Sequence, residues 1–310
     1  NGGAIYNFNA SPDFNNLVVK NNTAITSGGA IYNLNAPIKL SNSIITNNTA
    51  LYGGGVRNNS SNSEFTNVII KNNSATLATG GAGGGGIFNE LSNLKLTDVL
   101  IAENSTQRWG GGLRNLSGNP VFTNVTIANN TAENQPATAA LELISGGNPQ
   151  INNSIIYGTI TGTYTAHYSL IEGNTDTTNN NINTIGITKE DVFTNPTASD
   201  YTLKAGSPAV DAGSNTLFIG LDGNTKDLAG NPRVFNFGTG IIDMGAYESP
   251  FEPLTPDVNG IIYVKTIATG TGSGKDWDNA TSELHNAIHT NGVTKVFVAV
   301  GNYPVGSSSF

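Results

Sequence analysis

The chain has 310 residues, 45 of them Asn and 38 Gly, with 14 basic against 22 acidic side chains for a formal charge of −8. That balance lacks the basic face that nucleic acid or an anionic membrane surface demands, and with no Cys there are no disulfides, thiolate metal sites or cysteine nucleophiles. At 37% hydrophobic content the chain still buries a core, and no apolar run approaches the ~20 residues of a membrane span, so the Asn/Gly/Thr bias points to a β-rich, turn-rich fold.

Self-similarity starts at once. Gly2-Gly3-Ala4-Ile5-Tyr6-Asn7 returns at Gly28, Gly53, Gly84 and Gly110, in steps of 26, 25, 31 and 26 residues. Asn21-Asn22-Thr23-Ala24 keeps the same step at Asn47, Asn72, Glu103 and Asn129. A third motif runs in phase through Leu40/Asn42, Phe65/Asn67, Leu96/Asp98 and Phe122/Asn124. Within a period the apolar stretches are short, rich in Ile, Val, Leu and Phe, and punctuated by Asn, Gly and Ser, so they read as three strands and three turns. One such unit cannot bury its apolar side alone, but coils stacked at the ~4.8 Å strand spacing share one core. The expectation is an all-β parallel β-helix of about six coils over 1–160.

The 31-residue step places residues 77–83 in a surface loop, and the leading Gly of each period supplies a positive φ. Asn7, Asn33, Asn58, Asn89 and Asn115 share one register and should stack as an amide ladder. The residue before each, Tyr6, Tyr32, Arg57, Phe88 and Arg114, points outward by alternation. Stacked about 5 Å apart, these form an aromatic and guanidinium stripe, either a contact surface for glycan or protein through cation–π attraction or packing that shields a sheet face.

Beyond Asn153 the motifs fade into an irregular β-rich segment over 161–249. The net charge lies there too, with seven basic and fifteen acidic residues in 161–310 against seven of each in 1–160. Pro250, Pro253 and Pro256 mark a stiff linker over 250–259. A new unit occupies 260–310, with a strand at Ile261–Lys265, a short helix over Ser282–His289 and a buried strand from Lys295 to Tyr303.

The GGAI-type motif and the Phe65 and Phe122 strand starts resemble bacterial right-handed parallel β-helix repeat proteins, including the polymorphic outer-membrane adhesins with GGAI and FxxN repeats. The stretch Tyr201–Gly213, with Asp227–Arg233 and Ile242–Glu248, resembles the choice-of-anchor segment that closes such helices in secreted surface proteins. The 260–310 unit is similar to the N-terminal cap and first coil of pectin-lyase-like β-helices. These resemblances imply a secreted or surface-displayed bacterial chain, Gram-negative and of the type IX secretion kind, and imply no activity. A further expectation is a tandem array, because residue 1 already lies inside a coil and 260–310 begins a second β-helix module.

Catalytic motifs along the chain are incomplete. Gly270–Lys275 departs twice from a phosphate loop, at Thr269 and Asp276. His285 and His289 stand one helical turn apart, but Asn286 replaces the general base a zinc-protease helix needs. Gly206-Ser207-Pro208 lacks the second Gly of a nucleophile elbow. Asp222, Asn224 and Asp227 alternate oxygens as a weak Ca²⁺ candidate, equally explained by Asx turns. The Asn-x-Ser/Thr sequons at Asn21, Asn47 and Asn129 keep the coil period and read as by-products of Asn-rich turns. The fold also hosts polysaccharide lyases and hydrolases, yet the acids of 1–160 fall in different repeat phases. The sequence therefore points to a non-enzymatic structural or adhesive module of a large bacterial surface protein, without a cofactor. Its partners would be surface glycans, other surface proteins and neighbouring modules; the alternative is a polysaccharide-binding or polysaccharide-degrading β-helix.

Overall fold

A computed structural model describes residues 1–81, 83–144, 147–234, 237–250 and 252–303. The coils stack as expected. A seven-stranded parallel sheet runs from Ile5–Phe8 through Ile31–Leu34, Val56–Asn59, Ile87–Glu90, Leu113–Leu116 and Leu141–Ile144 to Ile160–Thr161. A second parallel sheet carries the eight-residue strands Lys39–Thr46, Glu64–Lys71, Lys95–Ala102 and Val121–Ala128, and a third joins the two-residue strands just past each Asn-Asn pair. The chain is a parallel β-helix with three strands per coil.

Two glycines make each coil's leading turn. Gly28 has φ of 61°, and a Cβ on Gly29 would lie 2.0 Å from the carbonyl oxygen of Gly54 in the next coil, so no side chain fits between stacked backbones there. Asn supplies the remaining corners. Asn42, Asn67, Asp98, Asn124 and Asn153 all sit at φ between 48° and 56°, in the left-handed region that Asn and Asp tolerate best. That residue has no register partner in the middle of its strand, and it resets the alternation so that Phe65 and Val68 both point inward. This is the physical meaning of the Phe-x-Asn motif.

The interior is columns of like residues: Ile31, Val56, Ile87, Leu113 and Leu141; Leu40, Phe65, Leu96 and Phe122; Ile45, Ile70, Ile101 and Ile127. The polar columns inside are hydrogen-bonded along the helix axis. Asn7 Nδ2 donates to Asn33 Oδ1 (2.7 Å), Asn33 to Asn58 (2.8 Å) and Asn89 to Asn115 (2.7 Å), as the register predicts. At the 31-residue step the ladder breaks, leaving Asn58 Nδ2 and Asn89 Oδ1 without partners. A second ladder, not foreseen, is more complete. Asn22, Asn48, Asn73 and Asn104 each donate both their backbone N–H and their Nδ2 to the Oδ1 of the Asn one coil on, ending at Asn130, with all eight contacts between 2.9 and 3.0 Å.

Three boundaries differ from expectation. Pairing continues past 160, since Leu170–Ile171 stacks on Ile155–Ile156, so seven coils form where about six were expected. The pairing is carried on by inward residues such as Ile151, Ala166, Ile156 and Ile171 after the Gly-Gly signature has gone. The 161–249 segment is mostly turns, its strands confined to the antiparallel pair Phe193–Asn195 and Asp200–Leu203 and the last coil's short pieces. The expected stiff linker is hydrogen-bonded to the C-terminal unit, through Glu252 N to Thr271 O (2.9 Å) and Thr255 N to Ser273 O (2.8 Å).

The C-terminal unit pairs Ile261–Val264 in parallel with Lys295–Val298 and packs Ala287 of the helix Leu284–His289 on Ile262 and Val264. Residues 304–310 lie outside the described part. No described helix is long and apolar enough to cross a membrane.

The second ladder carries the heavier structural role. Asn73→Ala, which takes the acceptor from Asn48 N and Nδ2, one of the two donors from Asn104 Oδ1, and the donor from Ile45 O inside the core, is expected to lower stability by roughly 3 kcal/mol. Asn7→Ala, at the end of its ladder, should cost less than about 1 kcal/mol. Urea unfolding monitored by circular dichroism measures both.

Candidate functional site

The outward stripe of the first sheet assembles as one column, with Tyr6 beside Tyr32, then Arg57, Phe88, Arg114 and finally Glu142 in register. Its members stack on one another. The Tyr6 and Tyr32 rings lie 5.4 Å apart, and the Arg57 guanidinium stands 5.4 Å from Tyr32 and 5.2 Å from Phe88. Arg114 is 5.4 Å from Phe88 on one side and pairs with Glu142 on the other.

The stripe points away from the helix interior, as alternation requires, but most of it is not a free surface. A second layer from the loops ahead of each Gly-Gly turn lies over it. Tyr52 stacks on Phe88 at 6.3 Å and lies 5.3 Å from Arg57, Trp109 covers Arg114 at 4.9 Å, and Gly81 of the inserted loop accepts from Arg114 Nη1. Phe88 and Arg114 are accordingly 2% and 4% exposed and Tyr32 is 7%, whereas Tyr6 is 44%. Burial is what pushes the Tyr32 phenol above its ordinary pKa, against the pull of Arg57. Arg57 is further held by Glu90 (2.8 Å) and by Ser27 Oγ (2.6 Å). Tyr32, Phe88 and Arg114 are therefore buried and Arg57 is half-buried, with Tyr52 against Arg57 and Phe88 and with Trp109 and Gly81 against Arg114. Tyr6 and Phe8, whose rings lie 6.4 Å apart, are 44% and 54% exposed.

The carboxylate oxygens of Asp222 and Asp227 in the Ca²⁺ candidate take part in local hydrogen bonds. Asp222 Oδ1 accepts from Asn224 N and Thr225 Oγ1, both at 2.9 Å, an Asx turn in which the Thr225 hydroxyl holds the carboxyl below its usual range. Asp227 is buried, and its two oxygens accept the backbone N–H of Ala229, Asn231 and Glu248. The side chains of His285 and His289 lie outside the described residues.

A different acidic group comes together that the sequence motifs did not reveal. Asp211, Asp243 and Glu248 bring carboxylate oxygens within 4.8 Å of one another where the 161–249 segment folds on the coils. Asp243 accepts from Asp211 N (2.7 Å) and Ser249 N (2.6 Å), and Glu248 accepts from Asp243 N (3.0 Å). Burial raises the Asp243 carboxyl well above its usual value and Asp211 to about 6, in the latter case helped by Glu252. The three acids lie in the Tyr201–Gly213 and Ile242–Glu248 stretches, and the separation of Asp211 and Asp243 by 31 residues hid the cluster.

Residues 16–34 match the family model described as the Chlamydia polymorphic membrane protein (Chlamydia_PMP) repeat. The matched stretch runs from the left-handed corner at Asn16 through the Asn-Asn corner and the Gly-Gly turn to the end of the strand Ile31–Leu34. The chain therefore carries repeats similar to those of polymorphic outer-membrane adhesins. No curated protein and no solved structure matches it.

This geometry sets two expected outcomes. Phe88→Ala, which empties a covered position between two guanidinium groups, should destabilise by about 3–5 kcal/mol, while Tyr6→Ala stays within about 1 kcal/mol as a surface change; denaturant titration separates them. The carboxyls of Asp211 and Asp243 have folded pKa values raised above their unfolded ones, so their contribution is complete near pH 4 and is lost as pH rises through about 6 and beyond. The melting temperature should fall from pH 5 to pH 8. Asp211→Asn, which keeps a residue suited to the left-handed φ of 49°, should flatten that fall and raise the melting temperature by a few degrees at pH 8 only, as read by scanning calorimetry.

Proposed function

We propose that this chain is a non-enzymatic structural and adhesive module of a large secreted or cell-surface bacterial repeat protein, a stalk or filament segment displayed by a Gram-negative cell. The observation that carries the reading is the adhesin-type repeat at 16–34, reproduced coil after coil by the same corners and turns. Stiffness supports it as well. Two amide ladders and a covered cation–π column run along the axis, so bending one coil against the next strains several columns at once.

Side-chain chemistry on the first sheet is committed to self-packing over its middle coils, which suits a rod better than a catalytic cleft. The exposed Tyr6 and Phe8 pair offers an aromatic platform for a glycan or a protein loop. Export by a type IX route and assembly into a filament belong to the same proposal.

Binding of the purified chain to a glycan array and to cultured epithelial cells tests the adhesive part. A saturable signal should fall at least tenfold in Tyr6→Ala/Phe8→Ala and persist in Ile219→Ala, which alters an exposed apolar residue elsewhere. Cleavage of any polysaccharide on a substrate panel, abolished by replacing one acidic residue, would overturn the reading in favour of an enzyme.

A further inference from the structure

Residues 174–184 stack on the last coil, through the Leu170–Ile182 bridge and the bond from Asn181 Nδ2 to Ala166 O (3.0 Å), whereas the later part of the 161–249 segment lies along the side of the helix on two adjacent columns. One is the left-handed column. Asp98 Oδ1 lies 3.4 Å from the Nε of the fully buried Arg233, Asn124 Nδ2 donates to Asp243 O (2.8 Å) and Gly245 O (3.3 Å), and Asn153 donates to Ser214 O while its Oδ1 accepts from Ser214 N. The other is the outward column two residues on, where Leu100, Thr126, Ile155 and Leu170 are all covered. Thr126 Oγ1 accepts from Ala246 N, and Gly245 comes so close that a Cβ would meet Thr126 Oγ1 and Ile155 Cδ1 at 2.7 Å. The segment is thus read through its backbone carbonyls and a glycine.

Both columns continue unbroken into the earlier coils, where the described part of the segment flanks Asn67 and Ile69 through Leu228–Gly230 and leaves the column progressively more open, from 3% at Leu100 to 38% at Ile44. Val18, Ile44 and Ile69 stand in register with Leu100, and Val18 and Ile44 are 61% and 38% exposed. Asn42 and Asn67 continue the left-handed column, with the same φ as Asn124. Asn67 Oδ1 is out of solvent contact and accepts no hydrogen bond, whereas the matching oxygen of Asn153 is satisfied by a backbone N–H of the docked segment. A groove of about 460 Å³ runs between Asn42, Ile44, Asn67 and Ile69 on one side and Leu228–Gly230 on the other.

We propose that this free continuation of the docking track is a polypeptide-binding groove, and that its occupant is an irregular glycine-containing segment with aliphatic flanks, chemically like 242–247, from another protein chain. Continuity with the occupied part of the track argues for it. The solenoid repeats the same amide and aliphatic positions coil by coil, so a backbone that fits Asn124 and Ile155 finds near-equivalents at Asn67 and Ile69. A glycan fits less well, because Val18, Ile44 and Ile69 offer no aromatic face for a sugar ring to stack on. The inference stands on this docking geometry and not on where the chain is displayed.

The test uses a fluorescent peptide of the sequence 240–249 added to the full chain, with anisotropy as the readout. Saturable one-to-one binding is expected, weakened at least tenfold by Ile44→Lys or by an alanine at the peptide's central glycine. Ile25→Lys, at an exposed residue beside the third sheet, should leave it unchanged. Circular dichroism melts of both variants establish that each is folded. Absence of saturable binding, or binding that Ile44→Lys leaves intact because the peptide displaces the native segment instead, overturns the proposal. So does self-association lost in Ile44→Lys without peptide binding, which would assign the groove to a second folded copy, or binding of oligosaccharides alone.

Discussion

Most of the Asn side chains buried in this solenoid are satisfied by their own counterparts one coil away. A parallel β-helix places identical positions one strand spacing apart, so a buried residue that can both donate and accept solves the problem repeatedly, and Asn does so with one side chain. In the column from Asn22 to Asn130 the Oδ1 of Asn48, Asn73, Asn104 and Asn130 each receives two donors from the preceding coil, while each Nδ2 of the inner members also reaches backbone carbonyls such as Ile45 O and Ile70 O. The column gives the stack a direction, with donors on one face of every coil and acceptors on the other.

The same constraint explains where the chain departs from regularity. Lengthening one coil to 31 residues leaves the backbone register of Asn58 and Asn89 intact yet separates their amides, and Asn89 Nδ2 turns to Ser92 O and Asn115 Oδ1. The Asn73–Asn104 contact survives the same insertion, because residues 77–83 bulge after the Asn-Asn corner and not before it. Where Asn gives way to Asp98 in the left-handed column, the coil acquires a charge that no neighbour in the column answers. Burial pushes that carboxyl to about 7 against the pull of Arg233, which arrives from the 161–249 segment. One substitution in a repeat thus marks the place where the flanking segment attaches.

Flanking matters for the chain's charge as well. The coils are neutral, and the acidic excess sits in the side-docked segment and the unit after it. Asp211, Asp243 and Glu248 are held together by backbone N–H groups, and the C-terminal unit is joined to this segment through the Lys204–Glu283 ion pair (2.6 Å) and the bond from Asn286 Nδ2 to Gly206 O (3.1 Å).

The repeat period, the inward columns, the Gly-Gly turns, the first Asn ladder and the strand–helix–strand order of the last unit were all legible in the sequence, because translational symmetry turns three-dimensional neighbours into residues 25, 26 or 31 apart. The second ladder went unread, although Asn104 persists where its neighbour becomes Glu103, a sign that the second position of the pair is the buried one. Tertiary structure alone decided that Tyr52, Trp109 and the inserted loop cover Phe88 and Arg114, that coils continue to Ile171, and that Arg233 reaches Asp98 across 135 residues. Those contacts join segments that share no period. Side-chain alternation says which way a residue points, but whether a loop then folds over it depends on chain that no repeat aligns.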